Sequence, residues 1–259
     1  VRYNPDGSLD TSFDGDGMVT TDFREDADYG YDVAVQTDGK IIVTGLTMIS
    51  MNESDIALVR YNPDGSLDTS FGSEGKVVTA SGNFYGDAAY VVVLQQDGKI
   101  VVGGTIAFVI DGFYYPKMVL ARYNQDGSLD TSFAMDGLAI NDIYLVVDTV
   151  LHFDLLLQPD NKFVAIWSTF IGKNQDVALV RFNSDGSLDA DFGEAGLVTT
   201  DWGCAEYPTR AVLQPNGKIV VTGFVVCNGN TAYILARYNP DGSLDNSFGY
   251  LGKVLTELG

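Results

Sequence analysis

Five times along the chain an arginine stands eight residues before an aspartate: Arg2 and Asp10, Arg60 and Asp68, Arg122 and Asp130, Arg181 and Asp189, Arg237 and Asp245. In the first copy Tyr3-Asn4-Pro5-Asp6-Gly7-Ser8-Leu9 lies between them, and the other copies change it little. Side-chain oxygens gathered on a tight turn are the donors a hard cation such as calcium takes. Set against a calcium loop of the form Asp-x-Asp-x-Asp-Gly-x-x-Asp, Asn4, Asp6, Gly7 and Asp10 fall on ligand positions, but the first falls on Arg2. A guanidinium there brings within the chain the charge that a metal would supply, and its fork suits a carboxylate. The pattern reads as a structural clasp, with calcium at the Asn-Pro-Asp-Gly turns as the alternative and no other metal or cofactor expected.

Other chemistry is sparse. His152 is the one histidine, so a Ser-His-Asp triad or a zinc centre is hard to assemble. No phosphate-binding loop is present, and Gly103-Gly104 ends a strand pattern instead of opening a helix. The 35 acidic residues offer many carboxylate pairs of the glycosidase kind. Most sit in turns repeated in every unit, which suits architecture, so no catalytic residue is assigned. Phe113, Tyr114 and Tyr115, on a long connection from Ile106 to Lys117, and Trp167 are the candidate contacts for a sugar or peptide. The opposing reading has Trp167 filling a gap where other units carry Gly45, Gly104 and Gly223. Cys204 and Cys227 flank the turn Pro215-Asn216-Gly217 symmetrically; antiparallel pairing would bring them opposite one another, as a disulfide or as two buried thiols.

The elements that must position these residues are strands. Alternating runs such as Ile56-Ala57-Leu58-Val59-Arg60-Tyr61 lead into Asn62-Pro63-Asp64-Gly65, where proline presets φ and glycine closes a bulged turn. A second hairpin precedes it, Asp32 to Gln36 and Lys40 to Gly45 around Asp38-Gly39, and recurs at Asp97-Gly98, Asp160-Asn161 and Asn216-Gly217. The copies start at residues 2, 60, 122, 181 and 237, steps of 58, 62, 59 and 56, which marks a repeat architecture. About four antiparallel strands per period predict an all-β propeller, with a partial unit over 1–26 and whole units over 27–79, 80–140, 141–200 and 201–259. The surplus half-unit predicts an unpaired edge able to recruit a second copy.

With 46% hydrophobic residues and 29 glycines in 259, the composition suits a tightly turned sheet protein. A formal charge of −20 disfavours nucleic acid as a partner, and no run of 18 apolar residues predicts a membrane span. The chain begins in mid-repeat without Met, which reads as a piece cut or processed from something longer.

Asp97 to Val102 together with Ala121 to Phe133 resembles the bacterial delta-sixty repeat, a propeller repeat distantly similar to the NHL repeat. The resemblance runs over essentially the whole chain. It implies a β-propeller of a large secreted or surface-attached bacterial protein, and it transfers no catalytic residues. The expected function is a non-enzymatic extracellular or cell-surface binding and scaffold module whose loops contact a protein or glycan. The alternatives are a structural subunit that polymerises by edge-strand addition, and a carboxylate-based polysaccharide hydrolase or lyase.

Overall fold

A computed structural model describes residues 1–24, 26–50, 53–80, 86–110, 113–144, 153–170 and 174–257. Sixteen strands form four antiparallel four-stranded sheets in chain order. The first holds β1 (Asp28–Val35), β2 (Ile41–Ser50), β3 (Glu53–Tyr61) and β4 (Lys76–Thr79). The second holds β5 (Ala88–Leu94), β6 (Ile100–Ile110), β7 (Phe113–Tyr123) and β8 (Leu138–Tyr144). The third holds β9 (Asp154–Leu157), β10 (Phe163–Phe170), β11 (Gln175–Phe182) and β12 (Leu197–Thr200). The fourth holds β13 (Ala205–Leu213), β14 (Ile219–Cys227), β15 (Asn230–Tyr238) and β16 (Lys253–Glu257). Contacts group the chain into two compact units, Val1–Tyr114 with Ala121–Asp130 and Tyr115–Leu120 with Thr131–Gly259.

Local chemistry makes each sheet. At the turn between β1 and β2, Gln36 N–H donates to the Lys40 carbonyl and Gly39 N–H to the Gln36 carbonyl. The bulge needs a residue at φ 84°, which glycine takes without a Cβ penalty. The Asp38 side chain accepts the Lys40 N–H at 3.1 Å and closes the turn further. After the third strand the Asn-Pro-Asp-Gly hairpin folds back, and Phe71 drops into the core with no exposed surface.

The first strand of a sheet carries a bulge, between Gly30 and Asp32 in β1, Ala89 and Val91 in β5, and Pro208 and Arg210 in β13. Opposite each stands a glycine: Gly45, Gly104 or Gly223. A Cβ at Gly45 would lie 1.8 Å from the Tyr29 carbonyl oxygen, so only glycine lets the strands approach there. In the third sheet the described pairing of β9 with β10 starts at Asp154 opposite Ile166, one position short of Trp167, which stands where the other sheets carry the glycine.

Successive copies are tied through main-chain bonds. In the first unit Asp14 N–H donates to the Asp64 carbonyl and Gly72 N–H to the Asp126 carbonyl, both at 2.7 Å. In the second, Ala134 donates to Asp185 and Gly193 to Asp241. An aspartate adds a further tie: Asp32 accepts the Val92 N–H at 2.9 Å, and Asp154, at the matching place in β9, accepts the Ala211 N–H at 2.7 Å. Nothing in the spacing of Asp32 and Asp154 marks this use, because the bond forms only once sheets stack.

Candidate functional site

Arginine and aspartate meet at the foot of the Asn-Pro-Asp-Gly hairpin, where Asp68 N–H donates to the Arg60 carbonyl. The Nε to Oδ2 distances are 2.8 Å for Arg2 and Asp10, 2.7 Å for Arg60 and Asp68, 2.7 Å for Arg122 and Asp130, 2.6 Å for Arg181 and Asp189, and 2.6 Å for Arg237 and Asp245. Three further contacts complete the arrangement. A lysine from the preceding Asp-Gly-Lys turn reaches the same carboxylate: Lys40 to Asp68, Lys99 to Asp130, Lys162 to Asp189 and Lys218 to Asp245. The guanidinium lies over the core phenylalanine, with Arg60, Arg181 and Arg237 each 4.5 Å from the ring centres of Phe71, Phe192 and Phe248. It also donates from Nη1 to a turn carbonyl of the next copy: Arg2 to Pro63, Arg60 to Gln125, Arg181 to Pro240.

One aspartate thus collects two cations and the Ser70 hydroxyl at 2.7 Å, and one guanidinium bridges two repeats. Burial pushes the Asp68 carboxyl up, but the Ser70 hydroxyl, Lys40, the Ser70 N–H and Arg60 outweigh it and hold it well below the usual range. The lysines and the neighbouring carbonyl escaped sequence reasoning, since both lie a whole hairpin or a whole repeat away.

Of the aromatic residues expected as a contact face, Tyr115 and Trp167 have described side chains. Residues 106–110 and 113–117 lie within β6 and β7 instead of a loop. Phe113 and Tyr114 open β7, their side chains lying outside the described residues, and Tyr115 is half-buried. His152 lies outside the described residues. Trp167 must be corrected as a contact residue: it is 2% exposed and stacks on Phe153 at 6.3 Å with 10° between the planes. Cys204 and Cys227 form a disulfide with Cα atoms 5.4 Å apart; Ala205 pairs with Val226, so the next residue out on each strand faces its partner.

A cluster that sequence reasoning missed lies beside that disulfide. Asp176 on β11, Asp201 in the link after β12, and Glu206 at the start of β13 offer carboxylate oxygens all within 4.8 Å of one another. Glu206 has no exposed surface and Asp176 is 7% exposed, while Asp201 faces solvent. Burial, then the charges of Asp201 and Asp176, push the Glu206 carboxyl up to about 7 against the bonds from the Cys204 and Trp202 N–H groups. Burial, then Asp201, also raises Asp176.

The family model of a domain of unknown function, the DUF5122 beta-propeller, matches residues 1–13, 36–71, 95–133, 158–192 and 214–248. The chain belongs to this β-propeller family. Each long match runs from an Asp-Gly-Lys type turn through the clasp and ends on its phenylalanine, Phe71, Phe133, Phe192 or Phe248, so the matched segments are those that carry the lysine, arginine and aspartate of this propeller. No protein of curated function matches the propeller chain in sequence. Among solved structures it is similar to MPT-4, a mannose phosphorylase from Leishmania mexicana in complex with phosphate ion, at 12% identity and TM-score 0.43, covering 89% of this chain and 69% of that one. A glycoside hydrolase is similar at 10% identity and TM-score 0.37, over 84% of this chain and 47% of the other. The propeller chain thus spans about half of that hydrolase.

The clasp sets the acid limit of the fold. Asp68, Asp189 and Asp245 all titrate below their ordinary value, so their contribution is complete above the unfolded value near 3.8 and is lost as pH falls through the folded values. Stability against urea is expected to drop steeply below about pH 4. The measurement is the urea midpoint by circular dichroism from pH 7 down to pH 2; a midpoint unchanged to pH 2 would refute the assignment.

Proposed function

We propose that this chain is a non-enzymatic scaffold module of the delta-sixty repeat type, placed outside the cell or on a bacterial cell surface. It works by packing uncovered sheet faces against a further sheet of the same kind, belonging to a second copy or to a neighbouring protein module. The observation that carries this reading is on β1, where Tyr29, Val33 and Val35 are 52, 58 and 65% exposed. The residues in register with Val33 on β5 and β13, Val92 and Ala211, are 6 and 8% exposed. A row of tyrosine and valine left in water is the kind of patch that monomers seldom keep unless something docks on it. The fourth sheet has its own exposed apolar side chains, Val212, Tyr233 and Leu255. A disulfide supports an oxidising compartment.

A carboxylate-based hydrolase or lyase has less support, because a general acid must touch the glycosidic oxygen and Glu206, the carboxyl pushed up to about 7, has no exposed surface. Light scattering on a size-exclusion column, over a wide concentration range, tests the scaffold reading. The mass is expected to rise above the 27.9 kDa of one chain as concentration increases. Val33→Asp with Val35→Asp, on exposed positions, should hold it at one chain. A wild-type mass constant at 27.9 kDa would overturn self-packing, and the same loss of association from a substitution far from β1 would overturn its assignment to this face.

A further inference from the structure

Several buried carboxylates elsewhere are answered by cations: Asp68 by Arg60 and Lys40, Asp189 by Arg181 and Lys162, and Asp154 by Arg210. The comparison with Asp55 is the sharpest. Asp55 and Asp176 each stand five residues before a clasp arginine, and Asp55 pairs with Arg24 at 3.0 Å. Around Asp176 the neighbours are instead two more acids, Asp201 and Glu206. Among the described ion pairs none involves these three. The nearby Lys253 spends its ammonium on the Asp201 carbonyl, 2.9 Å away, and on the Trp202 ring at 5.3 Å.

A second observation points to a ligand. Glu206 Oε1 accepts the Cys204 N–H at 3.2 Å, but Oε2, in a side chain with no exposed surface, receives no N–H or hydroxyl; a proton shared with the Asp176 carboxyl can bind it, and with both groups ionised it is left as a bare acceptor. An acceptor left this way costs the desolvation of a charged oxygen and gains nothing in return. The three oxygens come from two segments, β11 and the stretch from Asp201 to Glu206, and the latter is pinned through Cys204 to Cys227 on β14. Two oxygens on opposite sides of a calcium ion lie about 4.6 to 5.2 Å apart, twice the metal to oxygen distance, and a smaller magnesium ion needs about 4.1 Å. Three oxygens within 4.8 Å of one another, adjacent or opposite around the metal, can therefore share one such ion. Exposed Asp201 leaves a side open to water, which calcium accepts in its shell.

We propose that Asp176, Asp201 and Glu206 bind one divalent cation of the hard, oxygen-preferring kind, with calcium as the ion tested first. The site is distinct from the Asn-Pro-Asp-Gly turns, where arginine and lysine already occupy the place of the charge.

The test is calcium binding to the intact chain at pH 8, by calorimetric titration and by thermal melting in calcium against a chelator. One ion per chain is expected, with melting raised by several degrees at about 5 mM calcium, in the affinity range of extracellular calcium modules. Glu206→Gln and Asp201→Asn should each weaken binding by about tenfold or more through loss of a charged ligand. Asp201 is at the surface, so its variant folds even where a buried change does not. No heat and no melting shift with calcium, magnesium or manganese up to about 10 mM would overturn the proposal. So would five ions per chain, which would place them on the repeated turns, or full binding by both variants.

Discussion

Replacing Trp167 by alanine is expected to lower the stability of the fold by about 3 to 5 kcal/mol, the cost of emptying a large aromatic site in a packed interior. The side chain is 2% exposed, lies against Phe153, and stands at the position that a glycine takes in the other sheets. Its indole Nε1 is buried without a partner, so phenylalanine makes a sensitive second probe. Trp167→Phe removes an unpaired donor while keeping most of the ring, and the two effects oppose one another; a net loss of about 1 kcal/mol or less is expected. Urea unfolding followed by far-ultraviolet circular dichroism measures both without relying on the altered chromophore. An alanine variant as stable as the wild type would return Trp167 to the surface and to a role in binding.

The second large effect belongs to the clasp. Asp68→Ala leaves the Arg60 guanidinium, whose side chain is 6% exposed, and the Lys40 ammonium without their shared carboxylate, and it strips Ser70 of its acceptor. Removing one partner of a buried pair costs about 3 to 5 kcal/mol, because the remaining charge stays out of water. Asp10→Ala should lose much less, since Arg2 and Asp10 are 33 and 23% exposed and solvent takes over part of the work. Arg122→Lys is the more pointed substitution in the second sheet: it keeps the charge and loses the fork that the Asp130 carboxylate accepts. Stability unchanged in both Asp68→Ala and Arg122→Lys would sink the idea that these groups hold the repeats together.

The two effects differ in how far they can be read in advance. An arginine and an aspartate eight residues apart sit at the two feet of one short hairpin, so proline, aspartate and glycine at the tip are enough to make them neighbours. The glycines opposite the bulges are legible as breaks in a strand pattern, although the reason for them, a carbonyl 1.8 to 2.2 Å from any Cβ, needs the partner strand. The aromatic run at 113–115 was misread as a loop because a long connection and a long hairpin have the same composition, and the ladder decides between them.

What the chain determined by itself is everything that acts over a turn: strand and turn alternation, the repeat spacing, and from these an all-β propeller fold. Side-chain alternation and the φ demands of tight turns are local, and they act before sheets meet. Tertiary structure decided the rest. Lys40 reaches Asp68 across a hairpin, Arg60 reaches the Gln125 carbonyl across a repeat, and Asp32 reaches the Val92 N–H across two sheets. Asp176 is brought within 4.8 Å of Asp201 and Glu206 from a separate strand. Such contacts depend on how one sheet lies on the next, and a charge in sequence carries no mark of the neighbour that stacking will give it.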